Sequence, residues 1–226
     1  MKILVIASHP DDEVLGCGGT IALRARQEHD VHIMILGEGI TSRCECREQA
    51  NAATVASLGE KSRLVGEFLG AKTVEFFQLP DNRFDTVPLL DIVKIIEEAV
   101  GRLSPQVIYT QHGDDLNIDH VITYRATLTA TRPLASCPVM KVLAYEVPSA
   151  TDWAFRRFGP GIRPNVFVDI HETLSMKLRA MEMYESEARP FPHPRSMQAL
   201  EANARRWGSV VGVAAAEAFE LVRSLE

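Results

Sequence analysis

The chain opens with Lys2-Ile-Leu-Val-Ile-Ala-Ser8, an unbroken apolar run rich in β-branched residues. That is the pattern of a strand buried on both faces of a parallel sheet. A turn follows, with Gly16, Gly18 and Gly19 allowing close backbone approach, and the Ala and Leu content of Thr20 to Gln27 predicts a helix. Val31 to Leu36 predicts a second strand, Arg47 to Leu58 and Ser62 to Leu69 predict helical stretches, and Thr73 to Leu79 a third strand. Between Pro88 and Leu103 apolar residues recur at Leu89, Leu90, Ile92, Val93, Ile95, Ile96, Ala99 and Val100, which predicts a helix. Gln106 to Thr110 predicts a fourth strand, His120 to Arg132 a helix closed by Pro133, and Val139 to Val147 a fifth strand. Alternation of this kind predicts an α/β protein with a mostly parallel sheet.

Pro148 to Asn165 breaks the alternation: it is rich in Pro, Gly and aromatics, which suits a long ordered loop, and loops of that length are usually functional. Beyond it, Val166 to Ile170 predicts a strand, Glu172 to Ser186 a helix, and Ser196 to Arg223 a largely helical segment around Trp207-Gly208. There is no internal repeat, and the expected organisation is one domain over 1–226, with a substrate loop and a helical C-terminal part from about residue 148.

Composition narrows the function classes. The chain carries 24 Lys+Arg against 30 Asp+Glu, a formal charge of −6, with 46% apolar residues. An acidic chain without basic runs lacks what phosphate neutralisation on a nucleic acid needs, so no nucleic-acid partner is expected. The first apolar run is far too short to cross a bilayer and ends in acidic residues rather than a cleavage site, so neither a membrane span nor a signal peptide is expected and a cytoplasmic location is. Cys17, Cys44, Cys46 and Cys137 are too sparse for a disulfide scaffold. Cys44 and Cys46 lack a second Cys pair or nearby His to complete a metal site, and are read as thiols.

His9-Pro-Asp11-Asp12-Glu13 lies directly beyond the first strand, where open α/β sheets bind ligands. Packing one imidazole and several carboxylates into five residues is repulsive unless a divalent cation reverses the sign. A catalytic zinc site needs three His or carboxylate ligands and an open position. His9 and one of the two aspartates supply two, and His120, at the start of the helix after the fourth strand, supplies the third. The other aspartate then stands free to act as general base. The glycines at 16, 18 and 19 do not make a dinucleotide fingerprint, because position 21 is Ile.

The run Ala-Ser-His9-Pro10-Asp11-Asp12-Glu13-Val-Leu-Gly16-Cys17-Gly18-Gly19-Thr20, together with Asp115-Leu-Asn117-Ile-Asp119-His120, resembles the signature of the PIG-L (LmbE-like) zinc-dependent N-deacetylase family. Asp81-Asn82-Arg83-Phe84-Asp85 is similar to a further family element, and Pro192-His193-Pro194-Arg195-Ser196 is similar to a tail found in a subset of members. The resemblance implies a Rossmann-like fold, metal ligation by His9, Asp12 and His120, and Asp11 as the base. It also implies a Zn2+ cofactor, although a His/Asp set accepts Fe2+, Mn2+ or Co2+ as well.

Several members carry a His where this chain has Asn117, whose amide can still donate to an oxyanion; His193 is another candidate. Asp81 is expected to bind sugar hydroxyls, Arg43, Arg83 and Arg195 a phosphate or hydroxyl, and Trp153 to wall one sugar face. The expected reaction is removal of an acetyl group from an N-acetylglucosamine-type sugar or conjugate. The alternatives are an amidase of the same family acting on a thiol conjugate or acylated antibiotic, and a non-catalytic metal- or sugar-binding module. The expected partner is a small N-acylated sugar; a homo-oligomer covering the aromatic loop is compatible with the pattern but not required by it.

Overall fold

The structure is a computed structural model describing residues 1–43 and 51–226. Strands β1 (Lys2–Ala7), β2 (Asp30–Gly37), β3 (Thr73–Leu79), β4 (Val107–Gln111), β5 (Lys141–Tyr145), β6 (Val166–Asp169) and β7 (Ala216–Ser224) form one sheet in the order β3-β2-β1-β4-β5-β7-β6. The first five strands in that order are parallel, and β7 runs antiparallel to both of its neighbours. Helices cover both faces, so the expected mostly parallel, helix-flanked sheet is what the chain forms.

Burial on both faces explains the continuous apolar run of β1. Ile3, Val5 and Ala7 pack with helices α1 (Asp12–Arg26), α2 (Ala52–Phe68), α6 (Leu174–Met183) and α7 (Met197–Val211), whereas Leu4 and Ile6 pack with α3 (Leu89–Leu103) and α4 (Ile118–Ala130). In α3 the buried residues Ile92, Val93, Ile96, Ala99, Val100 and Leu103 form one stripe at helical spacing. No helix among the described residues is long and apolar enough to cross a membrane.

Four expectations need correction. The segment 196–223 is not helical throughout: α7 stops at Gly212, whose φ of 80° suits a glycine C-cap, and the chain returns as β7 between β5 and β6. Tertiary pairing overrides the helix propensity of Ala216-Glu-Ala. The glycine segment after β1 is helix rather than turn, because α1 starts at Asp12 and kinks at Cys17 (φ −147°). Its glycines serve packing: a methyl on Gly16 would run into the Tyr145 ring, and one on Gly19 would lie 2.8 Å from Ile170. The long loop also contains a short helix, α5 (Ala150–Trp153), closed by a capping box between Ser149 and Asp152. Of the two helical stretches expected around residues 47–69, residues 52–68 form the single helix α2, and the expected start at Arg47 lies outside the described residues, as do Cys44 and Cys46.

The kink in α1 is capped from a distance. Glu217 on β7 accepts from the Gly19 N–H at 3.0 Å and the Thr20 N–H at 2.7 Å, while Lys177 donates to Glu217 at 2.6 Å and to the Leu15 carbonyl at 2.9 Å. Both side chains are buried. Replacing Lys177 with Met strands a buried carboxylate and is expected to cost about 3–5 kcal/mol of unfolding free energy. Denaturant titration checks this; a loss below about 1 kcal/mol would remove the pair from the forces that hold α1.

Candidate metal and catalytic site

Chain order reverses between β1 and β4, and in such sheets the crevice lies beyond the carboxyl ends of the strands at that point. His9, Asp11 and Asp12 follow β1 there, Arg43 follows β2, Asp81 follows β3, and His120 enters with α4 after β4. The sequence alone could not show that β1 and β4 are neighbours.

Asp12 Oδ2 is the centre of the arrangement. It accepts from the His9 N–H and from Gln111 Nε2, both at 2.9 Å, and lies 3.4 Å from His9 Nδ1 and 3.2 Å from His120 Nε2. Tetrahedral ligands about 2.0–2.2 Å from a zinc ion stand roughly 3.3–3.5 Å apart, so the donor set fits a divalent cation. The outer nitrogen of each imidazole also faces a carboxylate, the usual support of a metal-bound His. His9 Nε2 lies 2.9 Å from Asp119 Oδ2, and His120 Nδ1 lies 3.2 Å from Asp115 Oδ2, close but out of line for a hydrogen bond. His9, Asp81 and Asp119 form a second acidic group. Asp119, however, is already committed to the Asn82 N–H at 2.6 Å and the Phe84 N–H at 2.9 Å, which makes it a brace.

Electrostatics agree with that fit. Burial would push Asp12 up, but the two imidazoles hold it well below the ordinary carboxylate range. Burial would lower both histidines, yet the facing carboxylates raise His9 well above its ordinary value and push His120 up to about 9. The imidazoles thus hold protons that a cation would displace. Asp11 is raised well above the ordinary range, first by burial, with the Arg195 guanidinium opposing and nearby carboxylates adding.

Asp11 adopts φ 103°, a backbone conformation rare outside glycine. Its N–H donates to Glu13 Oε2 at 3.1 Å and its Oδ2 accepts from Arg195 Nη1 at 2.8 Å. Glu13 in turn accepts from the Tyr184 hydroxyl at 2.7 Å.

These groups open on a polar cleft of about 110 Å³. His9, Asp11, Asp12, Arg43, Asp81, Asn117 and Arg195 line it, and His120 is buried at its base. Asn117 caps α4 by accepting from the Asp119 N–H through Oδ1, which leaves Nδ2 as its donor. Arg83 is exposed and does not line the cleft. Trp153 and His193 also stand back from it, edge to face at 5.3 Å, and His193 accepts from the Arg195 N–H at 3.0 Å. Glu13, Asp115 and Asp119 lie inside the two motifs, but the sequence assigns them no role; Gln111 and Glu187 carry no sequence signal.

The family model PIG-L, described as GlcNAc-PI de-N-acetylase, matches residues 4–131. The protein belongs to the PIG-L family. This PIG-L protein is 27% identical over 192 residues to the uncharacterized deacetylase YaiS of Escherichia coli K12, covering 81% of this chain and 90% of the relative. It is 29% identical over 189 residues to the 4-oxalmesaconate hydratase of Pseudomonas putida KT2440, covering 79% and 71%. Its fold is that of the N,N'-diacetylchitobiose deacetylase of Pyrococcus horikoshii, with a TM-score of 0.76 and 20% identity over 98% of this chain and 84% of that one.

Glu13 and His120 contribute to the pH response of the protein stripped of divalent ions, beside His9 and Asp11, which are raised as well. Burial raises Glu13 from 4.5 to about 7, and, against burial, the facing carboxylates of Asp12 and Asp115 raise His120 from 6.5 to about 9, so the folded state holds both protons more tightly than the unfolded chain does. The Glu13 contribution is complete below about pH 4.5 and lost as pH rises through 7; that of His120 is complete below about pH 6.5 and lost as pH rises through 9. Stability of chelated protein should therefore fall between about pH 5 and pH 9 in denaturant titrations. A flat or rising curve would contradict the proton placement.

Proposed function

We propose that this PIG-L protein is a divalent-cation-dependent hydrolase that removes an N-acetyl group from an amino sugar or amino-sugar conjugate of the N-acetylglucosamine type. The observation that carries the reading is a carboxylate, Asp11, placed beside a donor set that fits a cation and opening on the same polar cleft. Zn2+ suits His9, Asp12 and His120, and Fe2+, Mn2+ or Co2+ suit them as well. When bound, the cation polarises the amide carbonyl and makes water more acidic.

Asp11 takes a proton from the attacking water, whose oxygen bonds to the amide carbon. Its raised affinity for protons suits a group that must accept one and give it back near neutral pH. Arg195 fixes one Asp11 oxygen while the other is left for this transfer. The Asn117 Nδ2 donor is available to the tetrahedral oxyanion. When the C–N bond breaks, Asp11 returns the proton to the nitrogen, giving acetate and the free amine. Asp81, buried at the cleft wall, accepts from the Ser42 N–H and hydroxyl at Oδ2 and from Asn82 Nδ2 at Oδ1, which keeps one lone pair for a sugar hydroxyl.

The hydratase relative raises water addition to an unsaturated acid as a second reading. The charge of the cleft favours the first. Among the described residues, its only guanidiniums, Arg43 and Arg195, are both paired with carboxylates, a poor setting for an anionic substrate.

Acetate release from N-acetylglucosamine and its disaccharide, before and after chelation and with zinc restored, tests the reaction. Release that needs the metal is expected. Loss of absorbance from an unsaturated dicarboxylate in place of acetate release would favour the hydratase. Asp11→Ala should lower kcat by about 10²–10⁴-fold with metal content intact. His120→Ala should lose metal on dialysis, and retained stoichiometric metal would strike it from the ligands.

A further inference from the structure

Glu187 lies beyond α6 and is buried against the cleft, yet it belongs to none of the sequence motifs. Its Oε2 pairs with Arg43 Nη2 and stands 3.8 Å from Arg195 Nη1. Ser186 donates to Oε1 at 3.0 Å while Arg43 holds Oε2, so both carboxylate oxygens are engaged, and the Glu187 N–H donates to the Tyr184 carbonyl at 2.8 Å, which ties down its backbone. Arg195 is further tied to Asp11 and, through Nε at 3.0 Å, to the Ser149 hydroxyl.

Two guanidiniums at one cleft are the usual equipment for gripping a phosphate or carboxylate. Here both are turned onto carboxylates of the chain itself. Arg43 pairs with Glu187, and Arg195 pairs with Asp11 and stands 3.8 Å from Glu187, so each guanidinium lining the cleft already faces a carboxylate of the chain. An anionic substituent would have to draw an arginine away from Glu187 and leave that carboxylate buried without its partner. A neutral sugar hydroxyl needs only a guanidinium N–H that Glu187 leaves free.

We propose that Glu187 acts as a charge filter, holding Arg43 and Arg195 so that the cleft accepts uncharged N-acetyl sugars and turns away phosphorylated or carboxylated ones. The inference rests on the deacetylase reading and specifies its substrate class. Rejection comes from a repulsive element rather than from missing contacts, so removing the charge should relax it.

The test compares kcat/KM of metal-loaded enzyme for N-acetylglucosamine and N,N'-diacetylchitobiose with that for N-acetylglucosamine 1-phosphate and 6-phosphate. The ratio of neutral to phosphorylated rates cancels any general damage to folding or catalysis. Wild type should favour the neutral sugars by about tenfold or more, and Glu187→Gln should shrink that ratio by about tenfold, chiefly through a lower KM for the phosphates. Sulfate should inhibit the Gln variant at lower concentration than wild type. Glu187→Asp, which keeps the charge, should keep the wild-type ratio.

An unchanged ratio and unchanged sulfate inhibition in Glu187→Gln, with neutral sugars still cleaved, would overturn the filter and leave the deacetylase standing. A wild type that cleaves the phosphates as well as the neutral sugars would overturn it too. Absence of acetate release from every sugar would instead overturn the deacetylase reading, and the filter with it.

Discussion

Asp12 Oδ2 receives hydrogen bonds from the His9 backbone and from Gln111 at the end of β4, with an imidazole nitrogen from β1's extension and another from α4 within 3.4 Å. Two parallel strands and a helix therefore meet at one buried, negatively charged oxygen. Burying that charge is costly without compensation. The compensation available is either two protonated imidazoles or a cation, and the spacing of the donors suits the latter. Most of what surrounds the cleft exists to keep those three side chains at this separation.

That support is layered. Asp119 and Asp115 face the outer nitrogens of the two imidazoles, and each is itself held by groups from other segments: Asn82 and Phe84 after β3, Thr151 on α5. Each link removes rotamer freedom from a donor before any ligand arrives, which is how a site is preorganised. The kink in the middle of α1 is anchored by Lys177 and Glu217, so β7 bears on the helix whose first turn carries Asp12.

Charge pairing at the rim is the other organising feature. Arg195 reaches from the segment before α7 to Asp11, and Glu187 gathers Arg195 and Arg43 into one network. The Arg195–Asp11 pair, 22% and 2% exposed, is held more firmly than surface ion pairs, whose worth is small, whereas Arg43 is 44% exposed. The proposed base is thereby oriented by a residue 184 positions away in the chain.

Local chemistry made much of this legible in the sequence. The apolar runs of β1 to β5 and the stripe of α3 follow from burial alone, and the clustered His and carboxylates at 9–13 and 115–120 are costly enough without a cation to mark themselves as a site. The family resemblance implies a division of roles between Asp11 and Asp12 that spacing leaves open. Only the tertiary structure decided the rest. Ala216 to Ser224 has helix-compatible residues but becomes β7 because β5 and β6 offer it hydrogen-bond partners from both sides. The glycines of α1 looked like a turn because their packing against Tyr145 and Ile170 cannot be seen along the chain. Arg195, Glu187, Asp119 and Gln111 acquire their roles from partners dozens to hundreds of residues distant, whereas Arg83 and Trp153, which carried equally suggestive side chains, stand outside the cleft. Sequence determines which groups are too polar or too charged to be left without partners, because that is a property of the residue; which partner each one finds is set by the order of strands in the sheet, because that is a property of the fold.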